Sequence, residues 1–260
     1  YSSFVMKKII LSSLAAAALA VVNVNGQLIA DDNGSNYSGG WTDGSNGGFG
    51  FEAWVLSSGG GTGGFGGSFI GDPAGSGISG MATNSFGLFA NPSGSGAFST
   101  ASRALSNALV VGETLSFQWG INFDSGAGGN KGFNLYTGGT GGTSLLNVNN
   151  GGSSDITLDG TSVGFGYGTN AMTWSFTLSD PTTLAVSATA RDGGAAFSTN
   201  LTVSGAPDAF QFYASDMQAG GEAQPYFNSL QVVPEPSTYA LLTLGALALG
   251  GYAARRRARK

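Results

Sequence analysis

Glu113-Thr114-Leu115-Ser116-Phe117-Gln118-Trp119-Gly120-Ile121-Asn122-Phe123-Asp124 is the most regular stretch of the chain. Leu115, Phe117, Trp119, Ile121 and Phe123 alternate with Ser116, Gln118, Gly120 and Asn122. A period of two places the first set on one face of an extended strand, toward a core, and the second toward water. Helical spacing would scatter both sets around the circumference. A strand with one wet face belongs in an antiparallel sheet.

The same alternation recurs on both sides. Residues 131–136 place Phe133 and Leu135 inward, and residues 171–179 do so with Met172, Trp174, Phe176 and Leu178. Leu184, Val186 and Ala188 share a face, as do Phe210, Phe212 and Ala214. Shorter strands are predicted at 51–56, 68–71, 85–90, 97–105, 145–148, 155–158, 161–167, 196–203 and 226–233. Asn149-Asn150-Gly151-Gly152, Asp159-Gly160 and Asp192-Gly193 supply turns that tolerate positive φ. No segment of this middle region has helical periodicity. The pattern predicts an all-β chain of about 12–14 short strands in two stacked antiparallel sheets, a β-sandwich. In strand number and length it resembles the concanavalin A-like jelly roll. A β-helix and a plain sandwich are the alternatives.

Glycine is abundant, at 46 of 260 residues, which by itself would suit disorder. Aromatic residues make up 11% of the chain and recur inside the alternating segments, so the glycines read as loops between real strands. Between residues 27 and 233 the cations are Arg103, Lys131 and Arg191. Against these three stand fourteen acids, the chain's fifteen less Glu235, a balance of −11. Nothing there would neutralise phosphates, so nucleic acid is excluded as a partner and anionic lipid is disfavoured.

The two ends differ from the middle. Lys7-Lys8 followed by apolar residues 9–22 reads as a secretory signal peptide, with Met6 as the natural initiator. Residues 1–26 are therefore assigned to an N-terminal extension and signal peptide, and 27–232 to an exported domain. At the other end, Val233-Pro234-Glu235-Pro236 precedes an apolar run over about 237–254, then Arg255, Arg256, Arg257, Arg259 and Lys260. A helix of that length reaches ~27 Å, close to a bilayer core. The terminal cations place the tail on the cytoplasmic side. Pro234 and Pro236 keep the preceding segment extended.

Pro-Glu-Pro, a single hydrophobic helix and a terminal Arg cluster, in that order, resemble the PEP-CTERM sorting signal of Gram-negative bacteria. The resemblance covers about residues 233–260. It implies a membrane-embedded exosortase that recognises Pro234, Glu235 and Pro236 and processes the tail, leaving the product at or beyond the cell surface, often among exopolysaccharides. These residues are then substrate residues, not catalytic ones.

Catalytic chemistry is sparse. With no histidine and no cysteine, Ser-His-Asp triads, Cys-His pairs, histidine-bound zinc and thiolate chemistry are all absent. Gly160-Thr161-Ser162-Val163-Gly164 has the form of a nucleophile elbow but lacks a histidine base. Gly61-Thr62-Gly63-Gly64-Phe65-Gly66 has the dinucleotide spacing but no helix after it. Glycoside hydrolysis needs only two carboxylates, yet no strand carries two acids spaced to meet in one cleft. The acidic cluster Asp31-Asp32-Asn33-Gly34-Ser35-Asn36 reads as a turn; an EF-hand would need glutamate at its twelfth position, which is Thr42. Asp124 and Asp216 are candidates for calcium, although no metal or cofactor is expected.

Carbohydrate contact remains open. Trp41, Trp54, Tyr136, Tyr167 and Tyr213 are the candidate stacking residues, with core packing as the alternative for each aromatic. Asn122, Asp124 and Asn134, near strand ends, are the polar partners. Trp41, Tyr136 and Tyr213 lead the set. Tyr136 and Tyr213 fall on the polar register of their strands. The expected function is a non-catalytic, exported surface or matrix protein with a structural or adhesive role. Its expected partners are an exosortase-type enzyme, the membrane, and an exopolysaccharide or matrix protein. The alternatives are a carbohydrate-binding module and a two-carboxylate glycan hydrolase.

Overall fold

The computed structural model describes residues 28–125, 129–152, 155–191, 196–234 and Gly245. Leu28–Val233 forms one compact unit. Among the described residues, no helix is long and apolar enough to cross a membrane. The run expected to do so, the expected signal peptide and the turn at Asp192-Gly193 lie outside these residues, Gly245 excepted.

Fifteen strands are described. They are β1 (Ala30–Asp32), β2 (Val55–Gly59), β3 (Phe65–Gly71), β4 (Ser85–Asn91), β5 (Phe98–Ala104), β6 (Glu113–Gly120), β7 (Asn130–Thr137) and β8 (Thr143–Asn150). β9 (Asp155–Leu158), β10 (Thr161–Gly166), β11 (Met172–Asp180), β12 (Thr183–Ala188), β13 (Phe197–Thr202), β14 (Ala209–Ser215) and β15 (Tyr226–Pro234) complete the set. The first sheet has the order β13-β12-β11-β6-β15-β4-β3, with β1 also on β15; the second has the order β10-β9-β8-β7-β14-β5-β2. Every ladder with a described register is antiparallel. Two stacked antiparallel sheets make a sandwich and exclude the β-helix.

Alternation builds the core. Leu115, Phe117 and Trp119 of β6 and Met172, Trp174, Phe176 and Leu178 of β11 are buried from the first sheet; Phe133 and Leu135 of β7 and Phe210, Phe212 and Ala214 of β14 meet them from the second. Phe212 stacks on Phe227 of β15 with ring centroids 3.8 Å apart, and Phe117 meets both Phe133 and Phe212 edge-on at 4.9 Å. Burying such rings dominates the stability of a fold without disulfides.

β6 ends earlier than the alternation predicts. Its neighbour β11 begins at Met172, opposite Trp119, so no ladder continues beyond Gly120. Gly120 lies under Ile78, where a Cβ would come within 2.8 Å of the Ile78 side chain. The chain then turns. Asn122 donates to the Ser76 carbonyl at 3.0 Å, and Phe123, expected inward, is half exposed beside Tyr167. The strand expected at 51–56 is also displaced, to β2. Phe51 makes a single bridge to Leu105, and Trp54 is buried with its indole N–H on the Tyr37 hydroxyl at 2.9 Å. Asn149 and Asn150 belong to β8, so its hairpin turns later than expected.

β15 is an interior strand. On one edge it pairs with β4 through Tyr226 and Phe227, then with β1 through Leu230, Gln231 and Val232. Ser229, between these two pairings, has φ of 53°. Buried Asn228 fills the break: it accepts from the Gly34 N–H at 2.9 Å and donates to the Asn84 carbonyl and the Ser85 hydroxyl at 3.1 Å. The acidic cluster at 31–36 thus becomes β1 and a 3-10 turn over Gly34–Tyr37. Within it, buried Asp32 forms an ion pair with buried Arg103.

Candidate functional site

The outward face of the second sheet is where the sequence placed Tyr136 and Tyr213. Registers align Thr100, Tyr213, Gly132 and Asn149 in one row across β5, β14, β7 and β8. Ser102, Gln211, Asn134 and Asn147 form the next row. These two rows carry hydroxyl, amide and phenol groups around Gly132, and no charged side chain.

A hydrogen-bond chain ties the rows together. Gln211 donates to the Ser102 hydroxyl at 2.9 Å and accepts from Asn134 and the Tyr136 hydroxyl, both at 3.3 Å. The Asn147 amide donates to Asn134 at 2.8 Å and to the Tyr213 hydroxyl at 2.9 Å. That hydroxyl in turn donates to the Asn149 side chain at 2.9 Å. Asn149 donates to Asn130 at 3.0 Å.

Tyr213 reaches the asparagines because Gly132 lies beneath it. A Cβ at Gly132 would run into the Val148 carbonyl and come within 2.7 Å of the Tyr213 hydroxyl. Burial pushes the Tyr213 phenol up to about 12, although the Asn147 hydrogen bond works the other way. Burial likewise raises Tyr136. Both rings are half-buried, and both phenols stay protonated at neutral pH. Preset amides and hydroxyls beside aromatic surface suit a neutral polyol, and the missing cations give an anionic ligand nothing to pair with.

Trp41 does not join this face. It is 6% exposed, packed among Trp54, Phe86 and Phe227 with centroids 4.8–5.8 Å away. An indole enclosed by three rings has no face for a sugar, so its candidacy is corrected to core packing.

Asp124 is buried in an ion pair with Lys131, whose ammonium also donates to the Tyr167 hydroxyl at 2.9 Å. Burial lowers the Lys131 pKa, and Asp124 partly restores it. Asp216 accepts from the Gly96 and Ala97 N–H groups at 2.7 and 3.1 Å. Both calcium candidates are thus engaged within the protein, and no group of three or more acids poised for a metal occurs among the described residues.

Sequence reasoning picked out Asn134 but missed the rest of the amide ladder around Tyr213. Its only sequence trace is Asn at 130, 134, 147 and 149, spaced by even intervals within each strand, which needs the β7–β8 pairing to become meaningful.

The sorting segment begins inside the fold. Val233 and Pro234 are the last residues of β15, while Glu235, Pro236, Arg255, Arg256, Arg257, Arg259 and Lys260 lie outside the described residues.

A family model for the PEP-CTERM protein-sorting motif matches residues 232–257. No curated protein matches the chain. Among solved structures, the globular domain of T. cruzi calreticulin is similar at 11% identity and a TM-score of 0.41, over 78% of this chain and 94% of that one. The carbohydrate recognition domain of Emp46p, in its metal-free form, is similar at 12% identity and a TM-score of 0.39, over 70% of this chain and 88% of that one. β-Agarase A in complex with oligoagarose is similar at 12% identity and a TM-score of 0.40, over 58% and 74%.

Proposed function

We propose that this chain, which carries a PEP-CTERM sorting motif over residues 232–257, is exported, held by a membrane helix at about 237–254, and released or anchored at the cell surface by an exosortase-type enzyme. The observation that carries this reading is the motif's place: it starts in the final residues of β15, so the sorting segment follows the folded body without a linker. Pro234, Glu235 and Pro236 are the residues the processing enzyme reads. Arg255, Arg256, Arg257, Arg259 and Lys260 keep the tail in the cytoplasm. Residues 1–26 supply the export signal. The body has a structural or adhesive role in the envelope or matrix and no catalytic one.

The test is the C-terminal mass of the mature protein from whole cells, in the wild type and in Glu235→Ala. Loss of the tail in the wild type and its retention in the variant support the reading. Identical masses would overturn it.

A second reading, a carbohydrate-binding module, is favoured by the uncharged Tyr213–Asn147–Asn149–Gln211 face. Its ligand is an uncharged polysaccharide. Affinity electrophoresis in gels containing neutral or uronate-rich glycans separates the two readings. Retardation by a neutral glycan alone, abolished in Tyr213→Ala, supports the module; equal mobility in all gels leaves the structural role. Release of reducing sugar would instead revive a hydrolase.

A further inference from the structure

The chain enters and leaves the sandwich at one place. β1 and β15 are antiparallel, with Ala30 opposite Val232, and the Ile29 N–H donates to the Val232 carbonyl at 2.8 Å. This end of the sandwich exposes three aliphatic side chains. Ile29 is 38% exposed, Val110 59% and Val111 53%. Ile29, Leu105, Ala108, Val110 and Val232 line one hollow of about 320 Å³.

The two valines are held outward by their own turn. The Glu113 N–H donates to the Val110 carbonyl at 2.9 Å, and the Glu113 carboxylate accepts from the Val110 N–H at 3.0 Å. The Gly112 N–H is spent on the Leu178 carbonyl of β11 at 2.9 Å. The N–H groups of Val110, Gly112 and Glu113 are thus satisfied within the protein, while the Val110 and Val111 side chains are more than half exposed.

The length of chain beyond the body names what covers them. Only residues 234–236 separate Val233 from the apolar run that starts at about 237. Three extended residues span at most ~10 Å. A body tethered that closely to a bilayer cannot keep its exit end away from it.

We propose that the end bearing Ile29, Val110 and Val111 rests on the headgroup layer of the membrane. This inference rests on the reading of 237–254 as a membrane helix. The lipid is zwitterionic. Around this end the charged groups are acids: Glu113, Asp180 at the end of β11, and Asp208, whose carbonyl accepts from Leu105. No described cation joins them to attract an anionic surface. The tether supplies a high effective concentration, so two or three aliphatic side chains suffice where they would not hold a free protein. Seated this way, the body keeps Pro234, Glu235 and Pro236 within ~10 Å of the lipid, within reach of an enzyme embedded in the same membrane.

The chain has no cysteine, so single labels are unambiguous. Full-length Val111→Cys and Phe123→Cys, labelled with an environment-sensitive nitrobenzoxadiazole dye, are placed in phosphatidylcholine nanodiscs containing a doxyl-labelled lipid. Phe123 is a matched control, 50% exposed and beyond the opposite end of β6. The expected result is a blue-shifted emission at position 111 and quenching at least twofold stronger than at 123. Adding Val110→Asp should reduce the quenching at 111 to the control level. Equal quenching at both positions, in chains that float with the discs and resist carbonate, would sink the docking surface while leaving the sorting helix intact. Failure of the chain to float would remove the sorting-helix reading, and this inference with it.

Discussion

Removing the carboxylate of Asp32 should cost about 3–5 kcal/mol, the range for leaving one partner of a buried ion pair uncompensated. The structure makes the case unusually complete. Both side chains are fully buried. Besides Arg103, Asp32 accepts from the Tyr37 hydroxyl at 2.6 Å, the Asn36 amide at 2.8 Å and the Asn33 N–H at 2.9 Å. Arg103 also donates to the Glu52 carbonyl at 2.6 Å and to Asn46, and its guanidinium lies 4.9 Å from the rings of Phe51 and Trp54. In Asp32→Ala the guanidinium keeps its neutral partners but loses its only described counter-charge. Asp32→Leu combined with Arg103→Met removes both charges and fills much of the same volume. Its cost should fall below the sum of the singles by at least about 2 kcal/mol, as expected for residues in direct contact. Urea unfolding followed by tryptophan fluorescence measures Asp32→Ala, the two singles Asp32→Leu and Arg103→Met, and their double, because Trp54 lies within the network. A single-variant cost under about 1 kcal/mol, or an additive double variant, would refute the reasoning.

Other outcomes follow from the same geometry. Lys131→Met should destabilise by about 3–5 kcal/mol, since it leaves the Asp124 carboxylate buried without its ammonium, whereas Lys131→Met with Asp124→Leu should recover much of the loss; thermal unfolding compares them. Gly132→Ala should cost about 1–3 kcal/mol by overpacking against the Val148 carbonyl and should dislodge the Tyr213 hydroxyl, read as a changed tyrosine absorbance titration. The folded protein holds the Tyr213 proton more tightly than the unfolded chain does, with values of about 12 against 10.0. Its contribution is therefore complete below pH 10 and is lost as the pH rises toward 12. Tyr213→Phe should flatten that part of the curve of urea midpoint against pH.

Much of the fold was legible because one physical signal dominates it. β6, β7, β11 and β14 are long, half-buried strands, and alternation alone assigns their faces, including the outward positions of Tyr136 and Tyr213. The signal fails where a strand loses its neighbour. Phe123 continues the alternation of β6 but sits past the end of β11, so parity no longer reports burial. It fails again where long-range partners define the structure. The acidic run around Asp32 looks like a surface turn until Arg103, 71 residues away, is placed beside it. Trp41 sits in a polar, glycine-rich segment, and only the neighbouring Trp54, Phe86 and Phe227 reveal it as core. The sorting segment lay at the opposite extreme: its order of motif, apolar run and cations was readable without any fold at all.

The position of β15 governs when the protein can become itself. β15, the last described strand, lies between β6 and β4, so the first sheet is two fragments until residues 226–234 arrive. A polypeptide threaded N-terminus first must therefore finish its passage before its body can close. On the proposed route, closure of the body and delivery of the tail then coincide, and a chain truncated ahead of Tyr226 lacks the strand that joins those fragments.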